Sequence, residues 1–313
     1  MKSRNYAGIS LLASLAACNS ATAETVQKNS TQAPQKPNVI VILADDLGYG
    51  DLKCYGAKNV ETPHVDKLAS EGIRFTNAHT VAATSTPSRY SLLTGEYAWR
   101  RPDTDIAAGD VKMIIRPEQY TMADMFKSAG YATAAIGKWH LGLGDKTGGQ
   151  DWNAPLPAAL GDLGFDYHYI MAATADRVPC VFIENGKVAN YDPSDPIEVS
   201  YTKNFPGEPT GKDNPELLYN LHPSNGHDMS IVNGISRIGF MKGGGKALWK
   251  DENIADSITP FMPSTLSNSI KTSLSLCILR PMMYTFLVFP MTASVERILW
   301  DYAETQSPNS TGR

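Results

Sequence analysis

An unbroken apolar run opens the folded part of the chain. Asn38-Val39-Ile40-Val41-Ile42-Leu43-Ala44 shows no polar alternation, the pattern of a parallel strand buried on both faces, and it stops abruptly at Asp45-Asp46-Leu47-Gly48. Further on, Thr62-Pro63-His64-Val65-Asp66-Lys67-Leu68-Ala69-Ser70-Glu71-Gly72 offers a Thr cap, Pro at the first helical position and Gly just past the end, which predicts a short helix. His64 in its first turn reads as a solvated histidine, and Ile73-Arg74-Phe75-Thr76-Asn77-Ala78 reads as a second short strand. In Ser85-Thr86-Pro87-Ser88-Arg89-Tyr90-Ser91-Leu92-Leu93-Thr94-Gly95, Pro opens a helix and Gly ends it. Thr121 caps another helix, with Ala123, Met125 and Phe126 as its apolar side and Gly130 as its stop. The small and β-branched run from Tyr131 to Ile136 then makes a strand.

From about residue 161 to 256 the pattern weakens into short strands and loops rich in Pro, Gly and Asn, a composition suited to an insertion that shapes a cleft. From about residue 259 it changes to Ser, Thr, Pro and Met. Arg280 and Pro281 interrupt the apolar residues there, which argues against a membrane span.

At the other end, Lys2 and Arg4 precede an apolar stretch at 9–17 that is too short to span a bilayer and reads as a secretory signal. It ends Leu15-Ala16-Ala17-Cys18, which resembles the bacterial lipobox and implies a lipid anchor on Cys18 in the periplasm or at the outer membrane. Cleavage of an ordinary signal near residues 21–24 is the alternative. Residues 19–36 are too polar to bury a core and read as a flexible tether, so folded structure is expected from Pro37.

Composition removes several function classes. With 42% hydrophobic and 19% charged residues the chain is not disordered throughout. A net charge of -4 provides no basic field for nucleic acid. Cys18, Cys54, Cys180 and Cys277 are scattered without a CxxC pair, which speaks against a zinc module, and spacing alone does not pair Cys54 with Cys180.

Two sites then stand out chemically. Asp45 and Asp46 are adjacent carboxylates at the tip of a buried strand, where α/β sheets bind ligands; they suit a hard divalent cation, or else a turn with Asp45 as its acceptor. Ser85 stands at a helix N-terminus, where N–H groups favour an anion. Arg89 is one turn in and can reach back toward it; a capping role for Ser85 is the plainer reading.

The string S-T-P-S-R-Y-S-L-L-T-G resembles the signature of the sulfatase family, C/S-x-P-S-R followed by x-x-L/M-x-T-G, at every specified position. The resemblance covers about residues 37–258 and implies an α/β fold, an alkaline-phosphatase-like sandwich with a mostly parallel sheet between helices. It implies that Ser85 is the precursor of formylglycine, made by an anaerobic sulfatase-maturing enzyme of the radical S-adenosylmethionine type. It also implies that Asp45, Asp46 and Ser85 ligate calcium. The block Gly137-Lys138-Trp139-His140-Leu141-Gly142 is similar to another family motif, with Lys138 implied to bind the sulfate and His140 to hold the formylglycine diol. A strand would put Lys138 and His140 on one side. The implied activity is hydrolysis of sulfate esters, on a sulfated glycan given the export signals. A phosphate or phosphonate ester hydrolase of the same superfamily and a non-catalytic lipoprotein that binds sulfated ligands are the alternatives.

His222 and His227 are candidate substrate contacts, and Gly243-Gly244-Gly245-Lys246 lacks the spacing of a phosphate loop and reads as a surface turn. Beyond residue 258 the family's second Asp-Asn calcium pair, later His and second sulfate-binding Lys have no counterpart in the sequence. Shifting the reading frame by one nucleotide allows family-like sequence there, so residues 259–313 read as an aberrant, frameshifted tail. The C-terminal part of the fold is then expected to be missing and the chain as written to be inactive.

Overall fold

Val39–Ile42 forms β1, the β-branched run expected from the sequence. The computed structural model describes residues 36–258 and, for its backbone, a strand at Ser275–Arg280; the signal, lipobox, tether and the rest of the tail lie outside the described residues. Helix α1 follows at Pro63–Glu71, α2 at Ser85–Thr94 and α3 at Met122–Ser128. Strand β2 is Ala132–Lys138, β3 Tyr167–Met171, β4 Phe182–Glu184 and β5 Lys187–Val188. The middle of the chain adds β6 at Glu198–Ser200, the hairpin β7 Ile231–Val232 with β8 Ile235–Ser236, and β9 at Phe240–Lys242. Helix α4 spans Ile254–Ile258, and β10 is Ser275–Arg280.

The main sheet has the order β1-β10-β2-β3-β4-β5. Its first four strands are parallel, and β4 and β5 return antiparallel. This is the expected α/β fold with a mostly parallel sheet. Strand β10 pairs Leu276 with Val39 on one side and Ser275 with Ala132 on the other. The sheet thus takes one strand from the stretch read as aberrant, where the run Leu276-Cys277-Ile278-Leu279 carries no interrupting charge.

Three expectations need correction. Strand β1 is half-buried rather than buried on both faces, because it lies at the sheet edge among the described residues. Residues 73–78 form no strand: Ile73 is 84% and Phe75 64% exposed. The segment instead wraps onto the turn before α1, where the Phe75 carbonyl accepts from the Tyr55 hydroxyl at 2.9 Å and Arg74 donates to the Cys54 carbonyl. On α3, Met125 is exposed while Met122, Ala123 and Phe126 pack on the core.

The cap signal of α3 behaves as read, whereas Thr62 stands at the cap position of α1 without a side-chain cap bond. Thr121 accepts from Asp124 N at 3.2 Å and Asp124 returns a bond to Thr121 N at 2.9 Å, a reciprocal cap for α3. Trp139 is fully buried, donates from Nε1 to the Gly142 carbonyl at 2.7 Å and meets Phe165 edge-on with centroids 6.4 Å apart. It therefore pins the turn after β2 into the core. Cys54 and Cys180 are both free thiols, and burial pushes Cys180 up to about 12.

Candidate active site

The carboxyl ends of β1 and β2 and the N-terminus of α2 meet at one point, as the rule for parallel sheets requires. Ser85 is the first residue of α2, and Thr84, not Ser85, occupies the cap position. The Ser85 hydroxyl is therefore free of capping duty. It accepts from Arg89 Nε at 2.8 Å and faces His140 Nδ1 at 3.0 Å.

The orientation of that second bond follows from the other side of the ring. His140 Nε2 lies 2.8 Å from the Ala107 carbonyl, which can only accept, so Nε2 carries the hydrogen. Burial first, then the Lys138 charge, push the imidazole down to about 3, so it is neutral and Nδ1 keeps its lone pair. Ser85 Oγ thus donates to His140 and accepts from Arg89, and its proton already points at a base.

Local backbone explains how the sequence achieves this. Strand β2 ends at Lys138, and His140 lies beyond it at φ 59°, a strained left-handed position for a non-glycine residue. Gly137 has φ 98°. Lys138 and His140 do converge on the site, but through a kinked strand end and not through plain strand alternation. Thr86 fastens the turn: its hydroxyl donates to the His140 carbonyl at 3.0 Å and accepts from Ala107 N at 3.1 Å.

Asp45 anchors the cations. Its Oδ1 accepts from Arg89 Nη2 at 3.1 Å and its Oδ2 binds Lys138 Nζ. Arg89 also donates to the Lys138 carbonyl at 3.1 Å. Burial opposes ionisation of Asp45, but Lys138 and Arg89 outweigh it and hold the carboxyl below the usual range. Burial, with Arg89 beside it, lowers Lys138 to about 8. Asp46 is exposed at φ 56° and acts on Arg89 through its charge.

Asp45, Asp46 and Ser85 offer only oxygen donors, the chemistry of a hard cation, and would be the residues to hold calcium. Three residues are fewer than the six to eight ligands calcium takes, and both oxygens of Asp45 are engaged by cations. No group of three or more His, Cys, Asp or Glu that could hold a metal is found among the described residues.

The sequence reading missed a second cluster at the end of β3. Asp176 lies 2.9 Å from His227 Nε2 and 3.1 Å from Arg177 Nη1, and Arg177 also donates to Thr174 Oγ1 at 2.9 Å. The Asp176 charge reaches Lys138 and the Arg177 charge reaches His140, so this group borders the first. Its location after a parallel strand was the available signal. His227 joins it, while His222 is exposed and does not. A buried brace fixes the segment: Arg237 donates to the Ala175 carbonyl at 2.6 Å, to the Val232 carbonyl at 2.8 Å and to both oxygens of Asp251. The three glycines at 243–245 all have positive φ, and the N–H groups of Gly244 and Gly245 are taken by Asp195 at 2.9 Å. They form a turn and cradle no phosphate.

Comparison with known proteins agrees with this geometry. The family described as Sulfatase matches residues 37–219. An N-acetylgalactosamine-6-O-sulfatase of Bacteroides thetaiotaomicron is 56% identical over 248 residues, covering 79% of this chain and 47% of that protein. Mouse steryl-sulfatase is 48% identical over 120 residues, 36% of this chain and 19% of that one. A solved Bacteroides thetaiotaomicron structure, described under metabolism of multiple glycosaminoglycans, superposes with a TM-score of 0.82 at 47% identity and covers 87% of this chain and 59% of its own. The chain thus spans about half the length of the bacterial relative.

Proposed function

Because the chain belongs to the sulfatase family, we propose that it carries the nucleophile half of an exported sulfuric ester hydrolase whose substrate is a sulfated glycan. One observation carries the reading: the Ser85 oxygen is held between Arg89 Nε and the lone pair of a neutral His140.

That cradle fits formylglycine made from Ser85, since it offers a donor and an acceptor to an oxygen-rich group. When present, the hydrated aldehyde supplies one hydroxyl to attack sulfur and a second whose loss of a proton expels the sulfate, a release step plain serine lacks. Arg89 orients the attacking oxygen and neutralises charge on it. His140 accepts its proton through Nδ1 while the Ala107 carbonyl holds the ring in the required tautomer. Lys138 supplies a point charge for the sulfate. Calcium on Asp45, Asp46 and the residue-85 oxygen belongs to the same reading; the donors present do not complete its shell, and no step is assigned to it.

The 56% identical relative is named for N-acetylgalactosamine 6-O-sulfate, which supports that sugar sulfate as the first substrate to try. The border formed by Asp176, Arg177 and His227 is where such a sugar would be read. The reading of residues 259–313 as frameshifted, with no counterparts there of the later family residues, supports inactivity of the chain as written. A second reading, binding of sulfated ligands without turnover, is favoured by Asp45 being committed to Lys138 and Arg89. Coexpression with an anaerobic maturase and peptide mass spectrometry test the central point. Ser85 should become lighter by about two hydrogens, the change from alcohol to aldehyde; an unmodified Ser85 under those conditions rejects the proposal.

A further inference from the structure

The segment between Gly95 and Ala107 carries two aromatic rings that the core does not use. Trp99 is 74% and Tyr97 50% exposed, yet the rings stack on each other, with centroids 5.8 Å apart and planes inclined by 29°. The Arg100 guanidinium lies 5.4 Å from the Trp99 centroid. Arg100 is exposed, and no carboxylate among the described residues pairs with it. Its neighbour Arg101 is neutralised by Asp103, to which Nε donates at 2.8 Å. Two exposed rings held stacked beside an unpaired cation offer a surface to a ligand with a flat apolar face and a negative charge next to it.

The backbone beneath the rings is fixed. Ala98, between them, is buried; its N–H donates to Ser91 Oγ at 3.1 Å, and its carbonyl accepts from Thr104 Oγ1 at 2.6 Å and from Arg101 N at 2.9 Å. Just before them, Glu96 accepts from the hydroxyl of fully buried Tyr90 at 2.8 Å, and the Arg101 guanidinium packs over the Tyr90 ring. Rings preorganised in this way lose little freedom on binding. The segment ends at Ala107, whose carbonyl holds His140 and whose N–H is held by Thr86. The ten residues of α2, about 15 Å of helix, lie between Ser85 and the aromatic pair, too far for one sugar ring to touch both.

We propose that Tyr97, Trp99 and Arg100 form a glycan-binding platform apart from the catalytic centre, which takes a sugar ring of an acidic oligosaccharide. The C–H face of a pyranose is flat and apolar and stacks on Trp99, while a carboxylate or sulfate on that ring or the next meets Arg100. The platform rests on the sulfated-glycan reading above for its ligand class, and it requires neither a modified Ser85 nor a metal.

The test is a calorimetric titration of the full chain and of Trp99→Ala, Trp99→Phe and Arg100→Met with two probes. One is a hexasaccharide of alternating glucuronate and N-acetylgalactosamine 6-sulfate, the other the monosaccharide N-acetylgalactosamine 6-sulfate. Trp99→Ala should bind the hexasaccharide about tenfold more weakly than the parent, and Trp99→Phe, which keeps a flat ring, should recover most of that loss. Arg100→Met should bind it about threefold more weakly at low salt, with a shallower dependence on ionic strength. The monosaccharide should bind all four proteins alike. An unchanged hexasaccharide affinity in Trp99→Ala overturns the platform and leaves the role of Ser85 standing; if that variant also dissociates a dimer of the parent in sedimentation, the rings are a contact between copies instead. Equal losses for both probes would place the effect at the catalytic centre and overturn the platform, as would a parent that binds no hexasaccharide. An unmodified Ser85 after coexpression with the maturase leaves it untouched. Should Trp99→Ala not fold, Arg100→Met decides: an affinity equal to the parent's at low salt overturns the proposal.

Discussion

Replacing Arg237 with Met removes one half of the brace that holds the Asp176 segment. Arg237 is 1% and Asp251 6% exposed in their side chains, so neither charge has water to fall back on. Besides Asp251, the guanidinium satisfies the carbonyls of Ala175 and Val232. Loss of one partner of a buried pair leaves the other charge uncompensated, which costs about 3–5 kcal/mol. For a domain of this size that lowers the melting temperature by roughly 10 °C, at about 2–4 °C per kcal/mol. Replacing both partners, as Arg237→Met with Asp251→Leu, should recover part of the loss, because no lone buried charge then remains while the Ala175 and Val232 carbonyls still lose their donor. Urea unfolding followed by fluorescence of the buried Trp139, Trp152 and Trp249 measures all four corners of the cycle. Single losses that simply add in the double variant would show that the pair is not the source of the stability. The brace is also local: Ile238 N donates to the Asp176 carbonyl at 2.8 Å, so Arg237→Met should also weaken binding of a sulfated sugar at the proposed Asp176 border.

Acid should destabilise the fold through its buried histidines. Burial lowers His168 from 6.5 to about 4 and, with Lys138, His140 to about 3. The unfolded chain binds those protons first, so stability is full above about pH 6.5 and is lost as pH falls toward 4, with a slope approaching about 1.4 kcal/mol per pH unit for each histidine. His168→Gln should flatten that slope in pH-dependent unfolding, and an unchanged slope refutes the assignment. Gly142→Ala should cost at least about 2 kcal/mol, from a left-handed backbone and overpacking. Gly142 has φ 71° and its Cβ would lie 2.0 Å from the Lys112 carbonyl oxygen; a melting temperature equal to the parent's contradicts this. Cys18→Ser should move the protein from the membrane fraction to the soluble periplasmic fraction, and a parent already soluble there rejects the lipid anchor.

Much of the scaffold was legible because its signals are local. Thr121 with Asp124, Gly95 and Gly130 past helix ends and the Val39–Ile42 run each act within a few residues. Ser85, Arg89, Lys138 and His140 were found through motif spacing, and the structure brings all four within hydrogen-bond reach of one another or of Asp45. What sequence could not carry was tertiary. The run at 73–78 has strand-forming residues, but its bonding partners are on the turn at Lys53–Tyr55. Met125 fits the apolar spacing of α3, yet its side of the helix faces out. Asp176 and Arg177 came from a weakly patterned stretch, and only the position of β3 beside β2 reveals that they border the site.

Sulfate release tests the role of Ser85 most directly. The chain as written, a version with its downstream frame restored, and the restored version carrying Ser85→Ala would each be coexpressed with the maturase. Each would be assayed on N-acetylgalactosamine 6-sulfate with and without chelator. Chelator-sensitive release is expected from the restored version alone. Release from the Ser85→Ala protein would contradict a nucleophile at residue 85, and equal chelator-sensitive release from the chain as written would contradict its inactivity.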